Sequence, residues 1–135
     1  MRGRCDDSGA MAVEVVILVP LLVMIMVLVV AFGRYVSAEG DSQAAAREAV
    51  RAATLERDPA SAAVAARATA TAMLPASLSC QPAVLTGDFA PGGTVTVELT
   101  CAVSWENLGL IGLSGTAEVR GTSSAPLDTY RRTDL

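Results

Sequence analysis

Residues Gly9–Phe32 read GAMAVEVVILVPLLVMIMVLVVAF, an apolar run interrupted by a single carboxylate, Glu14. Ala10 to Phe32 is 23 residues, which at ~1.5 Å of rise each make a helix of roughly 34 Å, enough for a ~30 Å hydrocarbon layer. The run therefore predicts a transmembrane helix over 10–32. A buried soluble helix is the plainer alternative, but the rest of the chain could hardly enclose a helix that is apolar on every face. A secretory signal peptide is another, since Val36-Ser37-Ala38 has the shape of a cleavage site. Against it, the run exceeds the ~7 to 15 residue core of such peptides and contains an acid. Pro20 removes one backbone donor from the interior and predicts a local kink that a membrane helix tolerates. Phe32, Arg34 and Tyr35 predict an interfacial anchor.

The position of Glu14 raises the functional question. A carboxylate near the middle of a span costs about 2.5 to 3.5 kcal/mol on insertion scales and less toward an end. Glu14 is near an end. It can reach water and the positive end of the helix dipole, or it can await a specific partner, and the residues alone leave both readings open.

Composition narrows the function classes. With 135 residues the chain has room for one domain at most, and its 52% hydrophobic but 4% aromatic content leaves few large side chains for a deep ligand pocket. The formal charge is −4, lysine is absent and the ten arginines are spread out, so nucleic acid is not expected as a ligand. Histidine is absent as well, removing the commonest general base and metal ligand. Cys5, Cys80 and Cys101 do not have zinc-knuckle spacing, and no nucleophile-elbow, P-loop or dinucleotide fingerprint occurs. No catalytic residues, no cofactor and no metal are expected, and the protein is not expected to be an enzyme.

Beyond the span, Ser42–Glu56 (SQAAAREAVRAATLE) is built from strong helix formers, with Ala46, Val50 and Ala53 as a thin apolar stripe. It can continue the membrane helix as one rod, although Gly33 and Gly40 weaken the join. Asp58-Pro59 predicts the start of a second Ala-rich helix that runs to Leu74 before Pro75. Alternation of Val95, Val97, Leu99, Cys101, Val103 and Trp105 with smaller or polar residues predicts a strand over Thr94–Trp105. The turn residues Ala90-Pro91-Gly92-Gly93 precede it, implying a hairpin partner around Ser77–Thr86. Thr116–Ser123 is a third strand.

Folding that hairpin brings Cys80 within a residue or two of register with Cys101. It predicts a disulfide closing about 20 residues and worth roughly 3 kcal/mol, against the alternative of two unpaired buried cysteines. Arginine counting does not orient the span, because Arg2 and Arg4 face Arg34, Arg47 and Arg51. The disulfide would: it places the carboxyl-terminal part in an oxidising compartment and the amino terminus in the cytoplasm. Leu108–Leu113 (LGLIGL) is an apolar loop that either packs under the sheet or touches a membrane or a neighbouring subunit. Ala125–Leu135 reads as a frayed or adaptable tail.

The fold class expected is α+β: an N-terminal transmembrane helix, one or two Ala-rich helices, then a small antiparallel three-stranded sheet. Its parts are a leader over 1–9, the span over 10–32, a helical stalk over 33–76, the sheet over 77–124 and the tail over 125–135.

A polar leader with Arg2 and Arg4, then Gly9, then Glu14 as the fifth residue after it, then an apolar helix, resembles the type IV prepilin signal. In the form GAMAVEVVILVPLL followed by FGRYV it is similar to the TadE-like pilus-assembly pseudopilins of tight-adherence (Flp) pilus systems. Ala10 stands where type IV pilins usually carry an aromatic residue, and Val15 where many TadE-like chains carry Phe. The resemblance implies cleavage after Gly9 by a prepilin peptidase on the cytoplasmic face, with Ala10 as the new amino terminus and Cys5 discarded in the leader. Glu14 would then neutralise the amine of a neighbouring subunit and set register between helices. The function so implied is that of a membrane-anchored minor pilin or pseudopilin in pilus assembly, with the lipid bilayer, other pilins, the peptidase and an assembly platform as partners. Alternatives are a pseudopilin of a related secretion or DNA-uptake machine, or a single-span envelope protein whose small head binds a ligand.

Overall fold

The structure is a computed structural model that describes residues 8–105 and 115–132, with side chains from Val13 onward. Residues 1–7 with Cys5, residues 106–114 with the Leu108–Leu113 stretch, and the last three residues lie outside the described residues. The chain forms two compact units, Met1–Gly33 and Arg34–Leu135. In order it contains α1 (Ser8–Leu55), α2 (Pro59–Met73), β1 (Ser79–Cys80), β2 (Val84–Gly87), β3 (Thr94–Ser104) and β4 (Thr116–Pro126). This is the expected α+β class, with a sheet of four strands instead of three.

Gly33 and Gly40 do not interrupt α1, which is continuous across 48 residues. Each glycine costs about 1 kcal/mol relative to alanine, and the helix-forming residues on both sides carry the backbone through. Pro20 is likewise inside the helix.

Within the second unit, α1 buries Ala38, Ser42, Ala45, Ala46, Ala49, Val50 and Ala53, a stripe at helical spacing. Ser42 Oγ donates to the Glu39 carbonyl at 2.9 Å, so this buried hydroxyl is satisfied within its own turn. Asp58 caps α2: its side chain accepts from the Ser61 amide at 2.9 Å, Pro59 occupies the first turn, and the helix stops before Pro75. These hydrogen bonds from Ser61, side chain first and backbone second, hold the Asp58 carboxyl below its ordinary value. From α2 only alanines are fully buried, Ala62, Ala66 and Ala70, so close approach replaces large buried area.

The sheet supplies the bulkier core. Val95, Val97, Leu99, Cys101 and Val103 of β3 are buried, with Val119 of β4 beside them. β3 is central. One side pairs with β4 in unbroken antiparallel register from Thr94↔Pro126 to Ser104↔Thr116. The other side pairs with β1 and β2, which divide the expected single partner. Cys80 opposes Cys101 and Val84 opposes Glu98, so Gln81, Pro82 and Ala83 face only Leu99 and Thr100. Pro82 has no amide to donate, and the extra residue is a bulge that breaks the strand. Gln81 N still donates to the Thr100 carbonyl at 2.9 Å, and Arg67 Nε of α2 donates to the Ala83 carbonyl at 3.3 Å. The β2–β3 turn is set by Pro91 followed by Gly92 at φ 78°, a left-handed position that favours glycine.

β4 extends three residues beyond the expected Ser123, and two residues of the segment expected to fray, Leu127 and Arg131, are tied to the rest of the unit. Leu127 is buried and its amide donates to the Gly93 carbonyl at 2.8 Å. Asp128 turns the chain by accepting from Tyr130 N at 3.0 Å, which delivers the Arg131 guanidinium to the Thr54 carbonyl in the last turn of α1. The same guanidinium lies 5.2 Å from the Phe89 ring centroid.

Candidate assembly surface

Among the described residues, the first unit is a helix with nothing to bury it. Val13, Val15, Val16, Ile17, Leu22 and Ile25 are all exposed, and so are Met26, Val29 and Phe32, on every side of the helix. None of its most apolar stretch is buried. Such a surface must be covered by lipid or by other helices.

Glu14 lies on this helix, exposed like its apolar neighbours. Gly9 and Ala10 fall in the first turn of α1, which begins at Ser8. Ala10 and Glu14 are thus one helical turn apart, about 6 Å along the axis. Phe32 is exposed at the end of the apolar stretch, as an anchor requires, whereas Tyr35 is half-buried and packs against the core of the second unit. Its ring has a packing partner that the sequence pattern did not reveal.

Cys80 and Cys101 are joined by a disulfide, S–S 2.04 Å, across directly opposed positions of β1 and β3. Because β1 has only two residues, this bond reinforces a short ladder between it and β3. Beside it a cavity of ≈ 310 Å³ lies between the end of α2 and the bulge, lined by Arg67, Thr71, Leu74, Leu78, Gln81 and Leu99 among others. Among the described residues no group of His, Cys, Asp and Glu could hold a metal.

Three features of the second unit carried no signal in the sequence pattern. They are the Arg131 contact with Thr54, the close approach of Gly121 to the Ser42 backbone of α1, and the outer edge of β4, which no described strand pairs. Each depends on segments far apart in the chain.

A small α+β unit attached to one exposed apolar helix fits a single-pass membrane protein. Residues 9–51 match the family model of the TadE-like protein family, and the resemblance read from Gly9 to Tyr35 is borne out. No curated protein and no solved structure matches the chain. The TadE-like match suggests involvement in tight-adherence pilus-related assembly, and with it interaction with other pilus components.

Proposed function

We propose that the chain is a membrane-anchored minor pilin or pseudopilin that takes part in assembling tight-adherence (Flp) pili at a bacterial surface, and that its part is structural and not catalytic. One observation carries this reading: the stretch of helix that is apolar and exposed on every side lies within the TadE-like segment. A surface of that kind serves equally to anchor in lipid and to pack against the helices of other pilins.

In this reading the leader ends at Gly9 and Ala10 becomes a free amine. Glu14, one turn along, then meets the amine of a neighbouring subunit after a small axial shift. Two charges that leave water together are tolerated only as a pair, so the contact also sets register between helices. The amino terminus faces the cytoplasm and the second unit lies outside, where a disulfide persists. The partners are the bilayer, other pilins or pseudopilins, a prepilin peptidase and the assembly platform. No cofactor and no nucleic acid enters.

Intact mass of the protein recovered from its native membrane tests the reading. Loss of Met1–Gly9 is expected, and Gly9→Val should abolish that loss. An uncut chain, or the same mass loss in the variant, would sink the assignment to processed pilins. A chain beginning at Glu39 would mean a secreted domain released by signal peptidase.

A further inference from the structure

β4 is an edge strand of 11 residues with one side fully paired. Among the described residues no strand pairs with its outer side. The direction of its backbone groups follows from the ladder. Leu127 N donates to the Gly93 carbonyl and Trp105 N donates to the Gly115 carbonyl. Odd-numbered residues of β4 therefore turn their amides and carbonyls toward β3, and even-numbered residues turn theirs outward. Gln43 Nε2 of α1 donates to the Arg120 carbonyl at 3.3 Å, which agrees with an outward Arg120 carbonyl.

An edge of this length invites pairing unless it is blunted by a bulge, a proline or an inward charge. The register of β4 is constant throughout, and its only proline, Pro126, is at the very end. The outward residues are Thr116, Glu118, Arg120, Thr122 and Ser124, all exposed. Glu118 and Arg120 lie side by side on one face as a solvent-exposed ion pair of 2.9 Å.

We propose that the outer edge of β4 pairs with the same edge of a second copy of this chain, antiparallel, with Glu118 opposite Arg120 of the partner subunit. The charge pattern selects that register. Two-fold pairing about Val119 places every outward residue from Thr116 to Thr122 opposite another outward residue, so their amides and carbonyls bond in pairs. Both Glu118–Arg120 contacts across the axis are then attractive, and Thr116 meets Thr122 of the partner subunit. Slipping either way to the next register that keeps outward groups opposed sets Glu118 against Glu118 of the partner subunit, or Arg120 against Arg120 of the partner subunit, which is repulsive. The Arg120 carbonyl has a second lone pair, so the Gln43 contact does not bar the new bond.

Light scattering of the full chain in detergent micelles tests the pairing. The wild type should self-associate, and Glu118→Arg or Arg120→Glu alone should weaken association roughly tenfold, because two attractive pairs become repulsive. An equimolar mixture of the two variants should associate again, since each chain then offers the other only unlike charges. Thr122→Pro, which removes an outward amide and no amide bonded to β3, should weaken association while leaving the unfolding transition of the chain in place. A monomeric wild type would overturn the proposal. So would a dimer indifferent to both charge reversals, which would place association in the apolar helix, or a mixture that stays monomeric while both variants unfold cooperatively.

Discussion

Gly121 of β4 lies directly against the backbone of Ser42 in α1: a Cβ at position 121 would stand 2.2 Å from the Ser42 carbonyl oxygen and 3.0 Å from the Gln43 amide nitrogen. Neither obstacle is a flexible side chain end, so helix and strand must separate to admit a methyl group. Gly121→Ala should therefore lower the stability of the folded chain by about 1–3 kcal/mol, the range for overpacked contacts. Chemical denaturation in micelles reads the change directly. Unaltered stability would mean that α1 does not press on β4 at this point.

Removing the Cys80–Cys101 bond should cost about 3 kcal/mol on the chain-entropy account, for residues separated by 21 in sequence. The double variant Cys80→Ser/Cys101→Ser, followed by denaturation with and without reductant, separates the two states. Wild type under reducing conditions should match the variant. Loss should be greatest around β1, whose two residues have few other ties to the sheet.

Arg131 ties the end of the chain to the end of α1 through the Thr54 carbonyl and stacks on Phe89. Arg131→Met keeps an apolar stem and removes the donor to an otherwise unpaired helix-end carbonyl. A loss of roughly 2 kcal/mol is expected for a charge-assisted bond. Amide hydrogen exchange should quicken in the last turn of α1 while the centre of β3 stays protected, and a uniform change across the chain would contradict a local tie.

Asp58 gives the protein an acid-side pH dependence. Its carboxyl is held below the ordinary carboxylate range by hydrogen bonds from Ser61, side chain first and backbone second, so the folded state favours the ionised form more than the unfolded state does. The resulting stabilisation is complete above the unfolded value and disappears as pH falls through the lower folded value. Asp58→Ala should thus be less stable than wild type at neutral pH, with the gap closing below about pH 4. A gap that persists at pH 2 would assign the effect to packing and not to charge.

Glu14 should matter to assembly and not to folding. Its side chain is exposed on α1, so Glu14→Leu and Glu14→Gln should leave the unfolding transition of the second unit where it is and the chain in the membrane. Both should reduce recovery of the protein with other pilins by at least about tenfold, in line with the loss of one partly desolvated ion pair. Equal recovery for wild type and both variants would make the carboxylate incidental.

Much of the architecture is written in local pattern. A run apolar on all sides becomes α1 because no face of it prefers water, and Asp58-Pro59 with Pro75 bounds α2 because capping and a missing amide act over a single turn. The strict alternation in β3 assigns its core face, and Pro91-Gly92 sets the turn before it. Gly9, Ala10 and Glu14 stand on that same helix, and the roles proposed for them rest on spacing along it.

What local pattern did not decide are the contacts between distant segments. The partner of β3 divides at Pro82 because a bulge is defined only against the strand it opposes. Tyr35 turns into the core of the second unit, Arg131 reaches Thr54 across 77 positions, and Gly121 is required only because Ser42 stands over it. The sequence by itself determined which segments are helix, strand and apolar span, through interactions of neighbouring residues. Tertiary structure alone decided which residues meet: close packing and hydrogen-bond satisfaction depend on whatever lies across the interface, however far away in the chain.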